Sequence, residues 1–169
     1  MSHLVSAYLD TSFIVAEMFP PRDRREHVSQ VVHDLYDNVS LVLVSGLTRI
    51  ELAQAFKVVA NDPRRLSEVE RRRHPLHRWG DLRDVRSNWY ELCFTRLDAF
   101  LSSMTEVRQV AVTGDVIESA RKHMALFHLY SYDAIHVAVA VGMNARMLIT
   151  LDREFSRVSE ALGIDVIVV

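Results

Sequence analysis

Leu4-Val5-Ser6-Ala7-Tyr8-Leu9, closed by Asp10, and Met147-Leu148-Ile149-Thr150-Leu151, closed by Asp152, are the two stretches that decide how this 169-residue chain folds. A short apolar run bounded by turn-type residues reads as a buried strand. Leu41 to Val44, Arg108 to Val112 and Asp165 to Val169 have the same character, and helical periodicity fills the intervals between them. Strand, helix, strand, repeated, argues for a parallel sheet covered on both faces by helices, a three-layer α/β/α architecture. Asp10 and Asp152 then stand at carboxyl ends of strands, the edge where open α/β sheets bind ligands.

Two more acids sit against apolar pattern. In Thr48 to Val59, Glu51 shares a helical face with Leu47, Ala55 and Val58. Asp133 opens Asp133-Ala134-Ile135-His136-Val137-Ala138-Val139-Ala140-Val141, a helix apolar all round and so expected to be buried. An isolated buried carboxylate neutralises by an upward pKa shift, whereas several converging ones stay ionised around a hard cation. Asp10, Glu51, Asp133 and Asp152 therefore suggest a divalent-metal site. Each has a plainer alternative. Asp10 and Asp152 could cap helices, Glu51 could pair with an arginine at the core edge, and Asp133 could cap its own helix in competition with Ser131. Asp10-Thr11-Ser12 and Thr113-Gly114-Asp115 both read as strand-to-helix junctions with capping residue types in place.

Length fits one domain, 1–169, able to bury a core without staples. The only cysteine, Cys93, excludes an internal disulfide and a cysteine zinc cluster, which fits a reducing, cytoplasmic setting. The first residues lack a basic start and a small-residue cleavage site, so a signal peptide is not expected. No apolar run approaches the ~20 residues of a membrane helix, and no membrane partner is expected.

A formal charge of −2 gives no overall pull on nucleic acid, but the charge is uneven. Lys57 to Arg86 carries nine basic residues against five acidic ones. Within it, Arg64, Arg65, Arg71, Arg72 and Arg73 either form a solvated helical face or contact phosphate. Residues 61–103 hold no strand and read as a helical insertion: Pro75 stops a helical stretch from Leu66 to Arg73, and Asp84 to Leu101 carries Val85, Trp89, Leu92, Cys93, Leu97 and Phe100 near one face. Phosphate-cradling glycine loops, a G-x-S-x-G elbow and H-E-x-x-H are all absent from the sequence. His136, three residues after Asp133, reads as a packed or solvent-facing helix residue.

Tyr8-Leu9-Asp10-Thr11-Ser12, Arg49-Ile50-Glu51-Leu52-Ala53, Tyr132-Asp133-Ala134-Ile135-His136-Val137-Ala138 and Leu148-Ile149-Thr150-Leu151-Asp152-Arg153-Glu154-Phe155 resemble, in order and context, the acidic motifs of PIN domains. Within that family the chain is similar to the VapC-type ribonuclease toxins of prokaryotic toxin–antitoxin pairs. The resemblance implies a strand order of 3-2-1-4-5, which brings Asp10 and Asp152 together. It further implies that Asp10 and Asp133 are principal Mg²⁺ or Mn²⁺ ligands, that Glu51 and Asp152 complete the acidic cluster, and that Ser12 and Thr150 support it by hydrogen bonding. Arg153 joins the basic stretch as an expected RNA contact.

The activity implied is metal-dependent endoribonucleolysis, with a cognate antitoxin and a homodimer as expected partners, and Trp79 and Trp89 as contact points. The rival is a catalytically idle PIN-like module that binds RNA or protein. A haloacid-dehalogenase-type phosphatase would want D-x-D where this chain has Asp10-Thr11-Ser12, and a receiver domain would want a lysine near the last strand, whereas Lys57 and Lys122 are the only lysines.

Overall fold

The computed structural model describes residues 5–59 and 83–169, with residues 83–89 described by their backbone alone. The strands are β1 Ser6–Leu9, β2 Leu41–Ser45, β3 Val107–Val110, β4 Met147–Thr150 and β5 Asp165–Val168. All pairings are parallel and the order is β3-β2-β1-β4-β5, as expected. Helices α1 (Thr11–Met18), α2 (Arg25–Asn38), α3 (Thr48–Val59), α4 (Arg83–Ser102), α5 (Gly114–Phe127), α6 (Ser131–Gly142) and α7 (Ser156–Leu162) connect them, with a 3₁₀ turn at Arg153–Phe155.

Alternation along β1 divides the core in two. Ala7 and Leu9 face Phe13, Ile14, Leu52, Phe56, Cys93 and Leu97, packed from α1, α3 and α4. Tyr8 faces the other way, toward Ala134, Val137 and Ala138 of α6 and Leu148 of β4. The inner face of α4 (Cys93, Leu97, Phe100) belongs to the first core, so this half of the expected insertion is built into a helical layer. Burial pushes the Cys93 thiol up to about 12, with Arg96 pulling weakly against it, which leaves it un-ionised and unreactive near neutrality.

Central β1 is buried along its whole length, whereas edge strand β3 exposes Arg108 and Gln109. Charge on an edge strand blocks further strand pairing. β3 ends at Val110, two residues before the expected Val112, because β2 runs out: Ser45 pairs Val110, and Gly46 N–H then caps the Val110 carbonyl at 2.8 Å. Among the described residues no single helix is long and apolar enough to cross a membrane. The expected Leu66–Arg73 helix, Trp79 and the arginines Arg64, Arg65, Arg71, Arg72 and Arg73 lie outside the described residues, as does the Trp89 side chain.

Candidate metal centre

β1 and β4 are adjacent, so their carboxyl ends deliver Asp10 and Asp152 to one edge. The Asp10 carboxylate is buried. Its Oδ2 accepts from Thr150 Oγ1 at 2.8 Å, from the Ser12 hydroxyl in a short contact, and more weakly from Ser12 N–H at 3.4 Å. Ser12 Oγ in turn accepts Leu151 N–H at 3.0 Å, and Thr150 Oγ1 accepts Asp152 N–H at 3.0 Å. Two hydroxyls thus tie the ends of β1 and β4 into one corner.

Asp10 is at the same time the N-cap of α1, and Asp152 Oδ1 accepts Glu154 N–H at 2.8 Å to cap the 3₁₀ turn. Capping and membership of the pocket are therefore compatible at both positions. The capping alternative does not hold for Asp133: Tyr130 occupies the N-cap of α6 without a side-chain hydrogen bond, and Ser131 already lies inside the helix.

Glu51 reaches the pocket from the first turn of α3. The buried stripe of that helix is Thr48, Leu52, Phe56 and Val59, not the expected Leu47, Ala55 and Val58, and Val58 is exposed. Packing against α1 and α4 turns the Leu52 and Phe56 side inward and sets Glu51 beside the buried stripe, where its carboxylate is partly open. Its Oε2 accepts from Thr11 Oγ1 at 2.7 Å and lies 2.8 Å from His136 Nε2, so among the described residues its partners are a hydroxyl and an imidazole, not an arginine.

Asp133 enters from the first turn of α6. Burial raises its carboxyl to about 6, aided by the charges of Asp10 and Asp152 and, more weakly, of Glu51, with His136 opposing. Asp133 therefore lies within electrostatic reach of the other three expected acids, the four being carried by four different elements.

His136 is packed and not solvent-facing, the first of the two settings expected for it. It is 1 % exposed and aimed at the acids, with Nε2 3.5 Å from Asp10 Oδ1 as well as close to Glu51. Neither contact has hydrogen-bond alignment, so Nε2 is a buried polar atom without an aligned partner. Nδ1 lies 2.5 Å from the hydroxyl of Tyr8, which is itself fully buried. Burial lowers the imidazole pKa, but the contact with Glu51 and the charges of Asp10, Glu51 and Asp133 together outweigh it, and the net shift is upward. The phenol of Tyr8 is held well above its ordinary value by burial and by Asp10 and Glu51, partly opposed by Ser45.

The chemistry of the donors fits a hard divalent cation: four carboxylates, with hydroxyls orienting the innermost one. Among the described residues no three His, Cys, Asp or Glu side chains are already closed up around a single ion-sized point. Mutual repulsion favours such an open set, and Mg²⁺ needs only one or two carboxylates while keeping several waters. Arg153, one residue past Asp152, is exposed. Beside Glu51 opens a mostly apolar groove of about 630 Å³ lined by Ile50, Ala55, Val58, Tyr90 and Tyr132.

A family model for the PIN domain matches residues 7–161. No curated protein sequence matches the chain. Among solved structures, a chain from the crystal structure of VapBC2 from Rickettsia felis, bound to a DNA fragment from their promoter, is similar in fold, with a TM-score of 0.59. At 14 % identity, the match covers 98 % of this chain and 99 % of that one. With that family model spanning nearly its whole length and the acidic corner built as described, the chain belongs to the PIN domain family.

Proposed function

We propose that this protein is a Mg²⁺- or Mn²⁺-dependent endoribonuclease, acting in the cytoplasm as the toxin of a VapBC-type toxin–antitoxin pair. The observation that carries the reading is the convergence of Asp10, Glu51, Asp133 and Asp152 on one sheet edge, close enough that the other three raise Asp133. A divalent cation held there would make an attacking water more acidic and stabilise charge on the leaving oxygen of a phosphodiester. Asp10, fixed by Thr150 and Ser12, and Asp133 are the principal ligands in this reading, with Glu51 and Asp152 completing the set.

An acidic pocket repels a polyanion, so cationic side chains at its rim must hold the strand. Arg153, exposed one residue past Asp152, is a candidate for this role; the same role for Arg64, Arg65, Arg71, Arg72 and Arg73 rests on sequence alone. The solved relative is described as VapBC2, and the apolar groove beside Glu51 supports a protein partner at this edge, either an antitoxin or a second copy in a homodimer. An antitoxin arginine entering the pocket would pair with the carboxylates in place of metal.

The test is cleavage of pooled cellular RNA by protein freed of antitoxin, with Mg²⁺ or Mn²⁺ and with EDTA, for the wild type and for folded Asp10→Asn and Asp133→Asn. Cuts that require metal and vanish in both variants are expected. No cuts by folded wild type with either metal would leave an idle RNA- or protein-binding PIN module.

A further inference from the structure

Tyr8 and His136 form a buried polar pair in an otherwise apolar layer, with Tyr8 on β1 and His136 on α6. A buried imidazole loses its water at both nitrogens and survives only where both find partners. Nδ1 has the Tyr8 hydroxyl at 2.5 Å; Nε2 has two carboxylate oxygens, at 2.8 and 3.5 Å, and is aligned on neither. Since Nε2 faces acceptors only, its proton is favoured there, and Tyr8 serves Nδ1 as donor. The result is an N–H wedged between Glu51 and Asp10, two like charges that would otherwise push apart.

We propose that Tyr8 and His136 are positioning residues of the metal centre: Tyr8 fixes the imidazole, and the imidazole N–H holds the Glu51 and Asp10 carboxylates at the spacing a divalent cation requires, without ligating the cation. The proposal rests on the metal-site reading above. It assigns a role to two fully buried polar side chains beside the pocket, Tyr8 at 0 % and His136 at 1 % exposure. It also explains why a histidine is accepted at a fully buried position of α6, where the residues that flank and follow it (Ile135 and Val137 to Val141) are apolar. Outer-shell partners of this kind are worth roughly 10–100-fold in metal affinity.

The test is Mn²⁺ binding by calorimetry and by electron paramagnetic resonance, without RNA, on the wild type, Asp10→Asn, His136→Leu, His136→Gln and Tyr8→Phe, with thermal melts on each. Leucine keeps the volume and removes both nitrogens; glutamine restores a donor near the Nε2 position; phenylalanine removes one hydroxyl. We expect His136→Leu to weaken Mn²⁺ roughly 10–100-fold, His136→Gln to recover part of the loss, and Tyr8→Phe to lose several-fold. The bound Mn²⁺ of the wild type should show no directly coordinated ¹⁴N in its electron spin-echo modulation. Wild-type affinity in folded His136→Leu or Tyr8→Phe, while Asp10→Asn has lost binding, overturns the positioning role alone. A directly coordinated ¹⁴N overturns it by making His136 a ligand. Should His136→Leu fail to fold, Tyr8→Phe and His136→Gln decide the question. No binding by the wild type overturns the metal reading itself.

Discussion

Asp10 leaves the end of β1 with its carboxylate held by Thr150 and Ser12, whereas the state of Asp133, on the first turn of α6, is set by burial and neighbouring charge and not by hydrogen bonds. One acid is woven into the strand corner; the other is pressed against it by the helix behind. The difference teaches that the pocket joins a rigid half to an electrostatically strained half. A cation relieves the strained half and finds the rigid half already in place.

The largest expected effect erases the comparison. Asp10→Asn and Asp133→Asn should each reduce metal-dependent RNA cleavage by at least about 100-fold, since each removes a charge that stabilises the transition state through the cation. Metal-free stability should then separate the two halves. Thr150→Val takes one donor from Asp10 and an acceptor from Asp152 N–H, so it should destabilise by about 1–3 kcal/mol in urea melts. Asp133→Asn removes repulsion and should leave the EDTA-treated protein as stable as the wild type at pH 7, or more so. A loss like that of Thr150→Val would show that Asp133 is structurally required.

pH sharpens the same contrast. Asp133 is raised in the folded state to about 6 from an ordinary 3.8, so between those values the native protein binds more protons than the unfolded chain. Its charge therefore weakens the metal-free fold fully above about pH 6, and the weakening fades as pH falls toward 3.8. His136 acts in the same sense: its folded pKa is raised, so the stability it adds is complete below its ordinary 6.5 and is lost as pH rises through the folded value. Urea melts in EDTA should show a gain in stability from pH 7.5 to 5.5 that shrinks in Asp133→Asn. With saturating Mn²⁺ the trend should reverse, because protons compete for the ligands. The smallest effect belongs to Arg153→Ala, which should raise KM for RNA a few-fold, leave kcat within about two-fold and flatten the salt dependence by less than one counterion.

The fold was legible because the central strands, buried on both faces, read as short, largely apolar runs closed by a turn residue, whereas edge strand β3 carries Arg108 and Gln109 and was the least distinct. Ends were less legible where a partner strand decides them, as at Val110. The four acids could be found because each breaks an apolar pattern. His136 could not be weighed in that way, since α6 is buried on nearly every side and offers no polar face for contrast. Its spacing of three from Asp133 was a usable signal that placed both on one face; its partner Tyr8, 128 residues away in the chain, was not. The edge position of Glu51 also escaped the sequence, because which stripe of an amphipathic helix turns inward is fixed by its neighbours, here α1 and α4.

The bridges from Thr150 and Leu151 to Asp10 and Ser12 span 139 to 140 positions of sequence. A ribosome making this protein must therefore add about 140 residues beyond Asp10 before the corner that orients it can close. A nascent chain lacking β4 has its first acid and nothing to hold it, and fragments released early would lack Thr150 and Asp152 altogether. For a protein proposed to cut RNA, assembled beside the RNA that encodes it, the long-range closure of the site means that competence waits until β4 has been made.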